Sequence, residues 1–387
     1  MKPVTIMVIA GEPSGDLLAA ELVRALAATP AGAGAKFIGA GGPRMAEAGV
    51  ELAFDMTQHA VVGLWEVLRN YLKFRRLFKQ LLDLAVERRP DAVICVDFSG
   101  FNRRFAAALR ERQRSIPGWR LRIVQYVSPQ VWASRPGRVR TMERDLDLLL
   151  SIFPFEQAWY AEHAPKLRVE FVGHPMMERY GKAEGRGQKA EVEGATPILL
   201  LLPGSREGEL RRHLPVMREA LVKIRERMPV RVRMVLPSER LRSTAQEILG
   251  AAPDIEMQIG GLAEALAQAT VALASTGTVT MECACFGVPT VTLYKTSWLT
   301  YEIGRRIVSV TSLTMPNLLA GEAVFPEFIQ DEATGENLAR AALELLEQPQ
   351  RRELMRGQLG KVIETLGPPG AAKRAAEAVA GLLVSSR

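Results

Sequence analysis

Several features that this sequence lacks narrow its class before any motif is considered. Only 3 of its 387 residues are cysteine, and all three lie in apolar surroundings, which disfavours a disulfide framework and predicts a reducing cytoplasm. No apolar run reaches the roughly 18–20 residues of a membrane-spanning helix. The N-terminal residues are typical of a first β-strand rather than of a signal peptide. Neither a zinc-ligand spacing nor an aromatic-basic motif is present, so we expect no nucleic-acid partner.

The charge and size of the chain indicate a globular protein with anionic ligands. It has 50 Lys and Arg against 43 Asp and Glu, a net charge of +7, which favours phosphorylated substrates or an anionic membrane surface. A chain of 387 residues is long for a single core, so two domains are expected.

Apolar, β-rich runs alternate with helical stretches along the whole chain. This order predicts an α/β fold with parallel sheets covered on both faces, as two Rossmann-like domains that face a cleft. We predict domains at 1–172 and 197–365, a Gly-rich polar linker at 173–196, and a C-terminal helix at 366–387 that returns to the first domain. The predicted strands are 4–10, 36–39, 92–96, 122–127, 148–152, 169–172, 198–202, 230–236, 256–259, 271–274 and 290–293.

Two loops of the second predicted domain suit a sugar nucleotide. A strand is followed by Ser275, Gly277 and Thr278 at the start of a small-residue helix, where free backbone N–H groups favour a diphosphate. Glu282, one turn later, is a candidate ligand for ribose hydroxyls. An ordinary βα turn is the alternative interpretation.

A second strand leads into a Gly-Ser-Arg loop that could hold the same diphosphate. Asn317, which follows Pro316, is a further candidate ligand, and a turn residue is the alternative. The Asp-x-Asp sequence at 145–147 precedes a strand, so we interpret it as a turn and not as a metal site. These additional donor candidates are Gly204, Ser205, Arg206 and Asn317.

The first predicted domain carries a candidate base and two candidate acceptor loops. Asp97 follows a buried strand, where a poorly solvated carboxylate suits a general base; a capping role is the alternative. One acceptor loop follows the first strand, and the other has the polar and aromatic composition of a sugar or phosphate surface. The acceptor candidates are Ser14, Gly15, Asp16, Ser128 and Gln130.

The segment 61–89 has apolar positions spread over much more than the single stripe of about 100° on a soluble amphipathic helix. Cations including Arg69, Lys73 and Arg76 flank these positions, which favours a membrane-docking helix or an acyl-chain site. A helix buried on two sides is the alternative. The membrane or acyl candidates are Val61, Val62, Leu64, Trp65, Leu68 and Leu72.

Taken together, these motifs resemble the bacterial lipid-A-disaccharide synthases, which are glycosyltransferases of GT-B architecture. The resemblance runs over nearly the whole chain, and its motifs are specific in their order and spacing. It rests on the segments 10–16, 42–45, 126–133, 153–156, 173–175, 202–206, 275–278 with Glu282, and 316–321.

The resemblance implies an inverting, metal-independent transfer from UDP-2,3-diacylglucosamine to the 6-hydroxyl of 2,3-diacylglucosamine 1-phosphate. It implies that Asp97 is the base, that Arg206, Gly277 and Thr278 hold the diphosphate, and that Glu282 holds the ribose. Asn317 would lie near the donor phosphates. The resemblance also implies a peripheral protein on the cytoplasmic face of the inner membrane; homodimer formation is left open.

One departure from the family pattern affects the candidate base. The family usually has Asp-x-Pro-Asp-Phe-Asn after the third strand, whereas this chain has Gly100 at the second Asp of segment 97–102. The loop residue Thr276 is a milder change. Two alternatives stay open: another GT-B sugar-nucleotide enzyme, such as a UDP-sugar epimerase or a peptidoglycan glycosyltransferase, and a non-catalytic nucleotide-sugar-binding relative.

Overall fold

The computed structural model describes residues 3–57, 71–181, 195–250, 254–307 and 310–384. The chain divides into two compact units, and each contains one parallel β-sheet with helices. The first unit comprises Met1–Glu178 and Leu366–Arg387, and the second comprises Arg179–Thr365. The predicted α/β class is therefore confirmed. Of the predicted linker, residues 182–194 lie outside the described residues.

The first unit is built on a seven-stranded parallel sheet in the order β3-β2-β1-β4-β5-β6-β7. The chain runs outward from β1 to β3 and then crosses to β4 on the other side of β1. This reversal places the loops after β1 and β4 side by side at the carboxyl edge, where open α/β sheets bind ligands. The strands are β1 Thr5–Ala10, β2 Lys36–Gly41, β3 Glu51–Asp55, β4 Ala92–Val96, β5 Arg122–Tyr126, β6 Leu148–Ser151 and β7 Val169–Phe171.

The helices that follow these strands cover the sheet. Proline occupies the first turn of α1, α2 and α6, where its missing N–H costs no intrahelical bond. A short 3₁₀ turn, Pro136–Arg138, precedes α5, and α7 spans the division between the units. These helices are α1 Pro13–Ala27, α2 Pro43–Glu47, α3 Tyr71–Arg88, α4 Ser99–Arg114, α5 Val139–Asp145, α6 Pro154–His163 and α7 Met176–Tyr180.

The second unit has a six-stranded parallel sheet in the order β10-β9-β8-β11-β12-β13. Here the chain reverses between β8 and β11. The strands are β8 Ile198–Leu202, β9 Arg231–Leu236, β10 Ile255–Ile259, β11 Val271–Ser275, β12 Thr290–Tyr294 and β13 Glu327–Ile329. The helices are α8 Glu207–Arg227, α9 Glu239–Leu249, α10 Leu262–Gln268, α11 Thr278–Cys285, α12 Trp298–Ile307, α13 Met315–Ala320, α14 Gly335–Glu347 and α15 Pro349–Glu364.

The helix α16, Ala371–Val384, packs on α1 of the first unit. Its small alanine side chains let the two helices approach closely. Arg374 fastens the preceding turn: its guanidinium donates to the carbonyls of Val172 (2.8 Å), Pro368 (2.6 Å) and Pro369 (2.9 Å). The second unit is therefore inserted, along the chain, into the first.

The core of each unit lies at its central strands. The side chains of β1, β4, β8 and β11 are almost fully buried, because helices cover both faces of a parallel sheet. All three cysteines are buried. Among the helices described, none combines the length and apolar character needed to cross a membrane.

Candidate functional site

The reversal between β8 and β11 brings the two predicted donor loops together. β8 and β11 are hydrogen-bonded neighbours, so the loop at Gly204, Ser205 and Arg206 lies beside the loop at 275–278. Sites for nucleotide phosphates are common at such a point, because backbone N–H groups of two loops converge there. The sequence-based pairing of these loops thus agrees with the topology.

The first donor loop is tight and internally supported. Gly204 has a φ of +130°, and a side chain there would overlap Glu209, so glycine is required. The Ser205 backbone N–H donates to the Glu209 carboxylate at 2.9 Å. The Arg206 side chain is 58% exposed, with one long contact of 3.5 Å to Glu209. The loop therefore presents a guanidinium that can reach an anionic ligand.

The second donor loop ends in an open helix N-terminus. Ser275 is buried as the last residue of β11, whereas Gly277 and Thr278 are exposed. Helix α11 starts at Thr278 without a side-chain cap. The first N–H groups of a helix are unpaired within the helix and carry the positive end of its dipole, which favours a phosphate group.

Glu282 lies on the same face of α11 as Thr278, four residues further along the helix. The rise between them is about 6 Å, so a diphosphate at the N-terminus would place a ribose near Glu282. The Tyr180 hydroxyl donates to Glu282 at 3.0 Å, and its ring packs on Phe286. Burial raises the pKa of Glu282. The sequence analysis missed Tyr180, since nothing local relates it to a residue about 100 positions away.

A buried histidine, also missed from the sequence, joins the first donor loop to the end of β12. His213 Nδ1–H donates to the Pro203 carbonyl at 2.7 Å, and its Nε2 accepts the Lys295 backbone N–H at 3.1 Å. Because Nε2 acts as an acceptor, the imidazole is neutral. Burial lowers its pKa and so favours that form.

The Asn317 side chain is fully bonded within the second unit. Its side chain is buried, and its amide donates to the Phe325 carbonyl (2.9 Å) and to Glu327 (2.8 Å). Its Oδ1 accepts the Phe325 N–H at 2.8 Å. Both amide hydrogens are already in use, so Asn317 holds its loop in place and has no donor to offer to a phosphate.

In the first unit, the reversal between β1 and β4 brings Asp97 against the first loop. Asp97 and Phe98 have φ values of +48° and +41°, which non-glycine residues rarely adopt and which costs free energy. A side chain at Gly11 would overlap the Phe98 ring, whereas one at Gly15 would make only ordinary van der Waals contacts. The candidate base therefore lies in a strained strand end, and Gly11 leaves the space that the adjoining Phe98 ring occupies.

Two buried amides hold this strained strand end. Asn102 donates to the Asp97 carbonyl at 2.8 Å. Gln125 donates to the same carbonyl and to the Val127 carbonyl, each at 3.1 Å, and Val127 is itself at φ +69°. One side chain thus clamps the strained ends of two neighbouring strands. The sequence analysis missed Gln125, which occupies an otherwise apolar strand.

The Asp97 carboxyl has the environment of a general base. Burial raises its pKa, and a backbone hydrogen bond from Phe98 opposes this increase. A carboxylate with a raised pKa is a stronger base for a sugar hydroxyl than a solvated one. At Gly100, where the family pattern has Asp, the chain is exposed and a side chain would meet open space.

The carboxylate of Asp16 binds the start of α2. This carboxylate is buried and accepts the backbone N–H groups of Gly42 (2.7 Å), Arg44 (3.0 Å) and Met45 (3.1 Å). It therefore caps α2, although we predicted it as an acceptor candidate. Ser14 is exposed in the first turn of α1.

The loop after β5 is held by a buried polar group. Gln130 is exposed, but Ser128 is buried and shares a hydrogen bond of 3.0 Å with the Tyr160 hydroxyl. Glu156 accepts the Trp132 indole N–H at 2.9 Å, and burial raises the pKa of Glu156 to about 7. Ser128 thus contributes to the shape of this loop, and its hydroxyl is already bonded within the protein.

The predicted membrane or acyl residues cannot be compared with the structure. Val61, Val62, Leu64, Trp65 and Leu68 lie outside the described residues. Leu72 belongs to α3, which is described from Tyr71 onward, but its side chain is not among those described.

The architecture of the chain matches that of solved glycosyltransferases. The calicheamicin glycosyltransferase CalG4 superimposes with a TM-score of 0.57, covering 100% of this chain and 99% of the other at 17% identity. A likeness at that identity concerns the fold alone, and the fold is of GT-B architecture.

Sequence comparison identifies the family within that class. A family model described as Lipid-A-disaccharide synthetase matches residues 6–380. Lipid-A-disaccharide synthase of Solibacter usitatus is 39% identical over 384 residues, which are 98% of this chain and 97% of the relative. The Geobacter sulfurreducens enzyme is 37% identical over 385 residues, with the same coverages. The chain belongs to the lipid-A-disaccharide synthase family and is a glycosyltransferase of lipid A synthesis.

Proposed function

We propose that this enzyme transfers 2,3-diacylglucosamine from its UDP derivative to the 6-hydroxyl of 2,3-diacylglucosamine 1-phosphate. The products are a β-1,6-linked disaccharide 1-phosphate and UDP. The observation that carries the proposal is Asp97, a carboxylate of raised pKa at the β1/β4 reversal of a chain in this family. Acylated glucosamines are the substrates that the family implies.

In this proposal Asp97 accepts the proton of the acceptor 6-hydroxyl as its oxygen attacks the anomeric carbon. The bond between that carbon and the UDP oxygen breaks on the opposite face of the sugar, so the configuration inverts. The strained backbone fixes the carboxylate before the substrate arrives, which reduces the reorganisation required in the transition state.

The second unit would bind the donor and stabilise the departing UDP. Arg206 and the backbone N–H groups at the start of α11 supply positive potential to the diphosphate, and Glu282 accepts the ribose hydroxyls. We propose that these groups carry the developing charge without a metal ion. In this assignment Ser275 and Gly204 shape the loops.

We place the enzyme at the cytoplasmic face of the inner membrane, as a peripheral protein that takes acylated substrates from the leaflet. The support comes from the sequence of segment 61–72 and the net charge of +7, since apolar residues flanked by cations favour an anionic bilayer surface. Nucleic acid is not a proposed partner. Homodimer formation is compatible with this scheme and is not required by it.

The first test measures UDP release from UDP-2,3-diacylglucosamine with and without the phosphorylated acceptor. We expect release to depend on the acceptor and to fall at least about 100-fold in Asp97→Ala, as for loss of a general base. UDP binding should be unchanged in the variant. Release without acceptor would instead indicate a hydrolase or an epimerase, and UDP binding without turnover would indicate a non-catalytic relative.

The same assay gives a pH dependence with a defined sign. Asp97 is active when ionised, so kcat/KM should fall as the pH drops through its pKa. Because burial raises this pKa, the acidic limb should lie above the ordinary value for aspartate of about 3.9. An acidic limb at or below that value would contradict the assignment.

A vesicle-flotation experiment tests the membrane proposal separately. Trp65→Ser with Leu72→Ser should reduce binding to vesicles that contain anionic lipid, because two apolar contacts with the acyl region are lost. The detergent-based UDP-release rate serves as the control for folding. Undiminished flotation of a folded double variant would rule out this docking segment.

A further inference from the structure

Four arginines gather near the carboxyl ends of β4 and β5, outside the groups assigned so far. Two lie in the second turn of α4, the helix that begins just after Asp97. The other two lie between β5 and α5, at the 3₁₀ turn Pro136–Arg138. The arginine cluster consists of Arg103, Arg104, Arg135 and Arg138.

The packing of α4 against α5 brings the two halves of the cluster together. Arg103 lines a small cavity with Thr141 and Met142 of α5. The Thr141 hydroxyl donates to the Arg138 carbonyl at 2.7 Å, which fixes the 3₁₀ turn to the same helix. Arg103 and Arg138 are half-buried, and Arg104 and Arg135 are exposed.

The charges of the other three arginines act on Arg138, and among the described residues no carboxylate pairs with any of the four. The pKa of Arg138 is lowered by burial and then by the charges of Arg103, Arg135 and Arg104. Within the described ranges, none of the four guanidinium groups forms an ion pair or a hydrogen bond. Such an arrangement costs free energy, and a bound anion would offset that cost.

Nearby carboxylates are used elsewhere. Asp147 pairs with Arg110 and Arg122, and Asp145 pairs with Arg144. The surrounding fold thus neutralises other arginines of the same unit and leaves the cluster positive. The arginine cluster also does not form an ion pair with Asp97. The group that lowers the pKa of Asp97 is the backbone of Phe98.

We propose that the arginine cluster binds the 1-phosphate of the acceptor sugar while Asp97 receives the proton of its 6-hydroxyl. This inference rests on the proposed function, because it concerns the acceptor of that reaction. Both acceptor groups belong to one sugar, so the phosphate site must lie close to the base. Arg103 is about 6 Å along α4 from its first residue, and arginine matches phosphate oxygens with paired N–H donors.

The test compares two acceptors dispersed in detergent: 2,3-diacylglucosamine 1-phosphate and the same lipid without its phosphate. In the unmodified enzyme we expect clear preference for the phosphorylated acceptor. Arg138→Ala should raise the KM for this acceptor about tenfold, the effect of one lost charge-assisted hydrogen bond. Its KM for the UDP donor and for the unphosphorylated acceptor should not change.

Two further variants separate charge, geometry and folding. Arg140→Ala removes an exposed arginine from the same segment that is not among the charges acting on Arg138, and it should leave both acceptor KM values unchanged. Arg138→Lys keeps the charge but loses the planar donor pair, so its KM should be intermediate. Equal melting temperatures would show that the folded state is preserved.

The outcomes distinguish this inference from the proposed function. If the unmodified enzyme does not use the phosphorylated acceptor, the proposed function fails. If it does, and Arg138→Ala and Arg103→Ala both keep its KM, the cluster is not the phosphate site. Unchanged KM with weaker flotation on phosphatidylglycerol vesicles would assign the cluster to a membrane lipid and also overturn the inference.

Discussion

At the residue scale, the candidate base depends on backbone geometry more than on its own hydrogen bonds. Asp97, Phe98 and Val127 all have positive φ, and each such residue costs about 1–3 kcal/mol. The Gln125 amide binds the carbonyls on both strand ends. A single buried side chain therefore stabilises a conformation that the surrounding residues would not adopt on their own.

Replacing this side chain should damage catalysis before it damages the fold. Gln125→Leu removes this donor from the Val127 carbonyl and leaves the Asp97 carbonyl with Asn102 alone, and we expect a loss of about 1–3 kcal/mol in the free energy of unfolding. Since Asp97 is then less well placed, kcat should fall about 10- to 100-fold, with little change in either KM. Denaturant unfolding and steady-state kinetics measure the two effects.

A matched control exists on the same unit. Gln113 also donates its amide to a carbonyl, that of Trp119, at 3.1 Å, but at the far end of α4. Gln113→Leu should reduce stability and leave kcat unchanged. Equal kcat losses in both variants would show that Gln125 acts only through global stability.

The sequence indicates candidate site residues at the ends of strands, and it gives no signal for contacts that depend on distant partners. Asp97, Arg206 and Thr278 were identified because each follows an apolar run. The hydrogen bonds of Asp16 and Asn317 carry no local signal, because their partners are groups of other segments. Tyr180 and Gln125 carry no local signal of their contacts.

At the scale of elements, the central strands were predictable and two strands at sheet edges were not. Eleven predicted strands correspond to observed ones within two residues at either end. The missed strands, β3 and β13, are the outer strands of their sheets. Both are half-buried and contain acidic residues, so they lack the continuous apolar run that marks a strand covered on both faces.

The contact between loops of the second unit gives an element-scale prediction. His213 joins the end of β8 to the end of β12 through Pro203 and Lys295. His213→Phe removes both hydrogen bonds, so we expect a higher KM for the UDP donor and a less stable second unit. Isothermal titration with UDP and thermal unfolding check these effects.

The pH dependence of this contact has a definite sign. The pKa of His213 is below its ordinary value of about 6.5 because the side chain is buried. Its contribution to stability is therefore present above pH 6.5 or so and is lost as the pH falls through the lower folded pKa. His213→Phe should lose less stability on acidification than the unmodified enzyme does. The surface variant His163→Phe should lose the same stability as the unmodified enzyme.

At the scale of the whole molecule, the two sheets could be predicted from the alternation of strands and helices. We predicted that the C-terminal helix returns to the first domain, and residues 366–384 belong to the first unit. Within residues 173–181 of the predicted linker, the structure has the short helix α7, Met176–Tyr180. A composition rich in polar residues and glycine does not reveal such a helix.

Arg374 offers a test of this return. It holds the turn before α16 to Val172 through one hydrogen bond and to Pro368 and Pro369 through two more. Arg374→Ala should lower the stability of the first unit by about 1–3 kcal/mol and leave UDP binding intact. The neighbouring variant Lys373→Ala changes an exposed side chain whose acidic partner, Glu377, lies 4.0 Å away. This variant should have little effect. Calorimetry with and without UDP would separate the two units.

The inserted position of the second unit also determines the order in which the enzyme can mature. The ribosome makes Arg179–Thr365 before it makes α16, which the first unit needs as a partner for α1. The second unit can therefore fold during synthesis, whereas the unit that carries Asp97 must wait for a segment made after it. A chain interrupted between the two stages would bind UDP and leave the surface of α1 uncovered, which makes it a substrate for chaperones or proteases.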